Sequence, residues 1–226
     1  IATLATEDRE TAMQPDVARQ VAELSGGREL ALASLGTFPA SLGEEKKLTS
    51  VVRLEKDLWD VPITMDDGLT LRADVFRPIG SGKHPVILNY GPYAKGLAFQ
   101  DGYPSAWNRM VAEHPDVAYG SSNLYQSWEV ADPEKWVPHG YACVRVDSRG
   151  AGRSPGFIDP FSPRETKDFY DCIEWAGVQP WSSGKVGLNG ISYYGINQWQ
   201  VASLQPPHLA AMCIWEGAAD YYRDLA

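Results

Sequence analysis

The strongest constraint on this chain is a recurrence. Short apolar runs, each followed within two residues by glycine or aspartate, alternate with stretches that are helical or loop-like. The run Pro85-Val86-Ile87-Leu88 within residues 84–90, the run 141–146, the Val186 and Leu188 pair within 185–188, and the run 209–215 all have this form. Strands that are apolar at consecutive positions are covered on both faces, as in parallel sheets. Between them, residues 163–177 read as an amphipathic helix, with Phe169, Cys172, Ile173 and Ala176 on one face. Arg164, Glu165, Lys167, Asp168 and Asp171 fall on the other, expected to meet solvent. A second helix is expected from Ser192 to about Leu204, where Pro206-Pro207 stops it. Buried strands alternating with helices define an α/β fold with a mostly parallel sheet, whose ligands bind beyond the carboxyl ends of the strands. Tyr93, Asp147, Ser192 and Glu216 fall just past those ends and are expected to line one rim.

The sheet opens differently. Leu69, Leu71, Ala73 and Val75 alternate with polar residues, and Met65-Asp66-Asp67-Gly68 separates them from residues 60–64, which predicts an antiparallel hairpin covered on one face. Residues 1–50 are polar, glutamate-rich and helix-compatible, best at 14–24, and read as an N-terminal extension to a domain spanning 51–226. Residues 97–138 show no clean period and are long for a connection, which suggests an insertion or lid-like loop. Its aromatics, Trp107, Tyr119, Tyr125, Trp128 and Trp136, either cover a binding site or anchor the insertion to the core.

Charge excludes some partners. With a net charge of −9 and a pI of about 4.9, the chain has no electrostatic affinity for nucleic acid or an anionic membrane. No apolar stretch approaches the length that crosses a bilayer, so a soluble protein is expected. The sequence begins at Ile1, and further residues are expected upstream. Cys143, Cys172 and Cys213 lack metal-ligand spacing and read as buried free thiols, which favours a reducing, cytoplasmic setting. The glycines of Gly150-Ala151-Gly152 fit neither a dinucleotide fingerprint nor a phosphate loop. The reading requires no cofactor and no metal.

Chemistry concentrates at Lys185-Val-Gly-Leu-Asn-Gly-Ile-Ser-Tyr-Tyr-Gly195, where a strand runs through Gly190-x-Ser192-x-x-Gly195 into a helix. A sharp strand-to-helix turn exposes its central serine, needs small neighbours, and puts that serine at a helix N-terminus where amides can receive an oxyanion. The usual turn has glycine two residues after the serine, and here that position is Tyr194. Ser192 is therefore either a nucleophile or an ordinary helix N-cap.

Together the motifs NYGPYAKG (89–96), VDSRGAGRSPG (146–156), DFYDCIEWAGVQPW (168–181), GISYYG (190–195) and WEGAADYYRD (215–224) resemble the α/β-hydrolases of the X-prolyl dipeptidyl-peptidase and cocaine-esterase family, from about Val51 onward. Gly-x-Ser-Tyr-x-Gly is that family's form of the turn, which accounts for Tyr194. The resemblance implies Ser192 as nucleophile, the Tyr193 amide as one oxyanion donor, and the Tyr93 hydroxyl, from the Pro92-Tyr93 pair, as the other. It implies a serine hydrolase of small-molecule esters or amides working through an acyl-enzyme, either an esterase or a proline-specific dipeptidyl peptidase. For a peptidase, Glu216 is a candidate for the substrate amine; a carboxylate bonding its own loop is the alternative.

The fold delivers its triad in the order serine, acid, histidine. The histidine after Ser192 is His208, in a helix-to-strand connection at the opposite edge of the sheet, and Asp220 and Asp224 come too early for the acid. The acid and base are thus expected outside this chain, which reads as the N-terminal part of a longer hydrolase. An uncovered sheet edge would then meet the remainder of the hydrolase, in one chain or a second, or another copy in a homo-oligomer. A non-catalytic binding protein that keeps the hydrolase shell is the alternative from another class.

Overall fold

The computed structural model describes residues 59–225; the extension expected over residues 1–50 lies outside them. Within the described residues, a six-stranded sheet forms from β1 (Val61–Thr64), β2 (Thr70–Phe76), β3 (His84–Gly91), β4 (Ala142–Asp147), β5 (Ser182–Ile191) and β6 (Leu209–Trp215). The order is β1-β2-β4-β3-β5-β6. β1 and β2 form the antiparallel hairpin that the alternation predicts, and β2 continues antiparallel against β4. From β4 across β3 and β5 to β6 every pairing is parallel. The sequence-based expectation of a mostly parallel sheet opened by a hairpin holds strand by strand.

This order contains a switch point. The chain leaves β3 to build β4 on one side of it and returns to build β5 on the other, so the connections at the carboxyl end of β3 diverge. Divergent connections leave a crevice there, and the loops after β3 and β5 border it. Those loops carry Tyr93 and Ser192.

Helix α1 (Pro104–Glu113) lies in the stretch that shows no sequence period, accompanied by single turns at Phe99–Gly102 and Pro133–Trp136. Aromatic contacts hold this stretch together. Phe99 meets Trp107 and Trp128 edge-on at 5.4 and 4.9 Å, and Tyr103 stacks on Trp128 at 4.3 Å. Helix α2 (Pro163–Gly177) begins at the Ser162 cap, whose hydroxyl accepts from the Glu165 amide. It lays Phe169, Cys172, Ile173 and Ala176 on the sheet, where Phe169 stacks on Tyr90 at 4.9 Å. Helix α3 (Tyr193–Ser203) follows β5 without a gap beyond Ser192 itself.

The polar face of α2 is not solvated as periodicity suggests. Asp168 is fully buried, gripped by Arg149 through two hydrogen bonds and by Arg164, and Glu165 is 6% exposed. Arg149 and Arg164 also reach Asp67 and Asp66 in the hairpin turn, so the charges of α2 clamp the hairpin. A second buried pair, Lys95 with Asp74 at 2.8 Å, ties the loop after β3 to β2. Cys143 and Cys172 are buried, but Cys213 is exposed: β6 is the last strand of this sheet and its residues alternate toward an open side.

Candidate active site

Ser192 occupies the junction of β5 and α3 with φ 55° and ψ −114°. A side chain at positive φ is crowded, and this ψ lies far from the left-handed helical basin that such residues usually adopt. The hydroxyl makes no capping hydrogen bond, so the N-cap alternative for Ser192 fails on geometry. The backbone is held instead by neighbours. Ser192 N–H donates to Trp215 O at 3.0 Å, and the amides of Gly195 and Ile196 close onto Ser192 O at 2.9 and 2.8 Å. Ile191 N–H donates to Glu129 O, which brings the end of the 97–138 stretch against the strand that carries the serine. The Tyr193 amide, in the first turn of α3, has no intrahelical acceptor by helix geometry.

Close packing explains the glycines. A Cβ on Gly190 would overlap Tyr194 and stand 2.7 Å from Tyr194 O, and one on Gly195 would stand 2.9 Å from Trp215 O. Gly195 is thus required where the start of α3 crosses the end of β6. Tyr194, which departs from the usual turn, has room because Gly91 at the end of β3 lies under its ring, where a Cβ would come within 2.5 Å of Cε1. Burial drives the Tyr194 phenol well above its ordinary range, against the Tyr93 amide that supports its anion.

Tyr93 follows β3 and is half-buried, its ring edge-on to Tyr193 at 6.0 Å and Tyr194 at 5.6 Å. Burial first, then the electrostatic effects of Glu129 and Tyr103, raise its pKa. The phenol is therefore a neutral donor at physiological pH. Glu216 follows β6 at φ 51° and is exposed. Burial pushes the Glu129 carboxyl up, a Trp128 side-chain hydrogen bond opposes the rise, and the Glu216 charge adds to it. Glu129 was not legible in the sequence, because nothing periodic marks its surroundings.

Asp147 does not face the crevice with the others. It ends β4 with 1% exposure, and its carboxylate accepts from the amides of Lys95 at 2.6 Å and Arg153 at 2.8 Å. Burial raises its pKa and those two amides oppose the shift. It is a tie between two loops.

The histidines lie as their sequence positions suggest. His84 Nδ1 pairs with Gly140 O at the start of β3, next to His139, and His208 Nδ1 pairs with Glu174 at 2.7 Å at the start of β6. These three stand at the edge of the sheet opposite Ser192. His114 ends α1. Asp224 caps the amides of Ala219 and Asp220, and Asp220 caps Arg223. Among the described residues no group of three or more histidine, cysteine or acidic side chains could hold a metal ion, and no helix is long and apolar enough to cross a membrane.

A sheet of this topology, with a strained serine between its strand and helix and a tyrosine across the switch point, has the α/β-hydrolase fold. Residues 67–226 match the model of the X-Pro dipeptidyl-peptidase (S15) family, and the chain belongs to that family. Over 164 residues it is 33% identical to the cocaine esterase of a Rhodococcus species, covering 73% of this chain and 24% of that protein. Among solved structures, a CocE/NonD family hydrolase from Staphylococcus aureus aligns at 40% identity and a TM-score of 0.63, over 74% of this chain and 29% of that one. An aminopeptidase from a marine sediment archaeon of the Thaumarchaeota shares the fold at 20% identity and a TM-score of 0.53. The chain thus spans about a quarter of the length of the first two relatives.

Proposed function

We propose that the protein is a serine hydrolase that cleaves a small-molecule ester or amide through an acyl-enzyme on Ser192. The observation that carries this reading is the Ser192 backbone, held at φ 55° with its hydroxyl unused for capping. Strain of this kind persists where the surrounding structure over-determines it, commonly at sites of chemistry. In the proposed reaction Ser192 Oγ loses its proton to a histidine and attacks the carbonyl carbon. The Tyr193 amide and Tyr93 hydroxyl stabilise the oxyanion, the alcohol or amine leaves, and water releases the acid. Three of the four histidines are at the opposite sheet edge, so the base and its acid partner are proposed to come from outside these residues, in the same protein or a partner chain. Incubation of the intact protein with a fluorophosphonate probe should modify Ser192, and Ser192→Ala should abolish p-nitrophenyl ester turnover. Undiminished turnover by that variant rejects the reading.

Within this family an esterase and a dipeptidyl peptidase remain the two substrate readings. The Glu216 carboxyl just past the end of β6, exposed and able to act on the Glu129 charge, supports a substrate that carries an amine, as a peptidase requires. Glu216→Gln should then raise KM for substrates with a free amino terminus and spare neutral esters. Equal effects on both substrate types would remove that preference.

A further inference from the structure

The residue after the nucleophile is held by an acidic side chain from another helix. Glu165 follows Ser162 at the spacing of a capping box, where its carboxylate would return to the Ser162 amide. It does something else. One oxygen accepts from the Phe161 amide at 2.6 Å, and the two oxygens lie 2.6 and 2.7 Å from the Tyr193 hydroxyl. Phe161, itself at φ 58°, stacks its ring on that of Tyr193 at 4.4 Å and 28°. Tyr93 closes the remaining side edge-on. The Tyr193 side chain is therefore fixed at its tip by Glu165, on its face by Phe161 and at its edge by Tyr93. Burial and the Glu165 hydrogen bond raise the Tyr193 phenol far above its ordinary range, so it remains the donor in this pair. Burial also raises the Glu165 carboxyl, while the Tyr193 and Phe161 donors oppose the shift.

We propose that Glu165 is a positioning residue for the oxyanion hole, acting by anchoring the Tyr193 phenol and with it the Tyr193 peptide N–H beside Ser192. This rests on the reading of that amide as an oxyanion donor. The physical argument is one of aim. A donor stabilises a developing oxyanion only within a few tenths of an ångström and some 10–20° of its productive position. Tyr193 lies in the first turn of α3, where helix termini fray and hydrogen bonding within the helix does not fix the amide. A tether from its own side chain to a buried carboxylate on α2 supplies that restraint. Both oxygens of Glu165 are occupied by it, so the carboxylate needs no contact with substrate.

The test uses the intact enzyme, with Tyr193→Phe, Glu165→Leu, which removes the acceptor at similar volume, and the double variant assayed on a p-nitrophenyl ester below their unfolding temperatures. Competent sites are counted by stoichiometric fluorophosphonate labelling, so that a smaller folded fraction does not register as slower turnover. Each single variant should lose about tenfold in kcat, less than the roughly 10²–10³ for deleting a donor outright, with KM within about twofold. The double variant should fall no further than about twofold below the singles, because both changes cut the same tether. A kcat per labelled site within about twofold of wild type for Tyr193→Phe overturns the proposal, as does full multiplication of the two losses in the double variant. If Glu165→Leu fails to fold, Tyr193→Phe, which removes one hydroxyl, decides. If Ser192→Ala retains turnover, the nucleophile reading fails instead, and the two failures are distinct.

Discussion

Replacing Ser192 by glycine and by alanine separates strain from chemistry at the proposed nucleophile. At φ 55° and ψ −114° a residue with a Cβ carries about 1–3 kcal/mol of backbone strain, whereas glycine adopts the same angles freely. Against that gain, glycine adds conformational freedom to the unfolded chain, worth about 0.5–1 kcal/mol relative to alanine. The balance puts Ser192→Gly about 0–2.5 kcal/mol more stable than Ser192→Ala. Alanine itself should lie within about 0.5 kcal/mol of wild type, because the hydroxyl caps nothing; loss of a working cap would cost about 1 kcal/mol. Equilibrium urea unfolding of the three proteins, with equal denaturant slopes, measures both differences. A glycine variant less stable than the alanine variant would show that unfolded-state entropy dominates and that Ser192 is not strained. An alanine variant destabilised by 1 kcal/mol or more, by the same cap estimate, would restore the capping role.

Three further outcomes follow from the geometry. Tyr93 has its pKa raised, so its phenol stays protonated below pH 10; Tyr93→Phe should lower kcat by about 10²–10³. That ratio should be the same at pH 7 and pH 9, and a ratio that shrinks across this window would mean that wild type loses its donor there by ionisation. Lys95→Met leaves Asp74, with its side chain 3% exposed, buried without its close cation; a loss of about 3–5 kcal/mol in urea unfolding is expected, and a loss under about 1 kcal/mol would deny the pair a structural role. His208→Ala removes the 2.7 Å contact to Glu174 at the edge of the sheet away from Ser192. It should cost about 0.5–1.5 kcal/mol of stability and leave kcat within about twofold, and a collapse of turnover would make His208 a candidate base after all.

What the sequence disclosed and what it withheld divide along the distance between partners. Strands β3 and β4 announce themselves because a strand covered on both faces carries consecutive apolar residues, and β6 carries such a run although its side is open. The β5–α3 turn announces itself because its glycines and serine are neighbours in the chain. The local helical period puts Glu165 and Asp168 on a polar face, yet both are buried. Their partners, Tyr193 and Arg149, lie 28 and 19 residues away, and no helical period reports a hydrogen bond across such a separation. Asp147 was placed on the rim by its position after β4, but position does not say which way a carboxylate turns, and two loop amides claim it. An apolar run suggests a buried Cys213, yet burial depends on what covers β6, which the run itself does not encode.

The position of glycine in the nucleophile turn shows how a local departure becomes intelligible only with the fold. Where α3 leaves β5, its first residues must pass both neighbouring strands, β3 and β6. On the β6 side clearance comes from Gly195, whose missing Cβ faces Trp215 O and Gly217 Cα. On the β3 side the helix presents Tyr194, and the missing Cβ belongs to the strand, at Gly91. The small residue expected two places after the serine has not been lost; its space has moved across to β3, in the same Asn-Tyr-Gly-Pro-Tyr segment that carries Tyr93. A large ring at Tyr194 thereby packs against the loop that supplies the proposed second oxyanion donor, edge-on to Tyr93 at 5.6 Å. The Gly91–Tyr194 exchange thus couples the two halves of the proposed oxyanion site, so that a Cβ at Gly91 would displace Tyr194 and, with it, the ring on which Tyr93 rests.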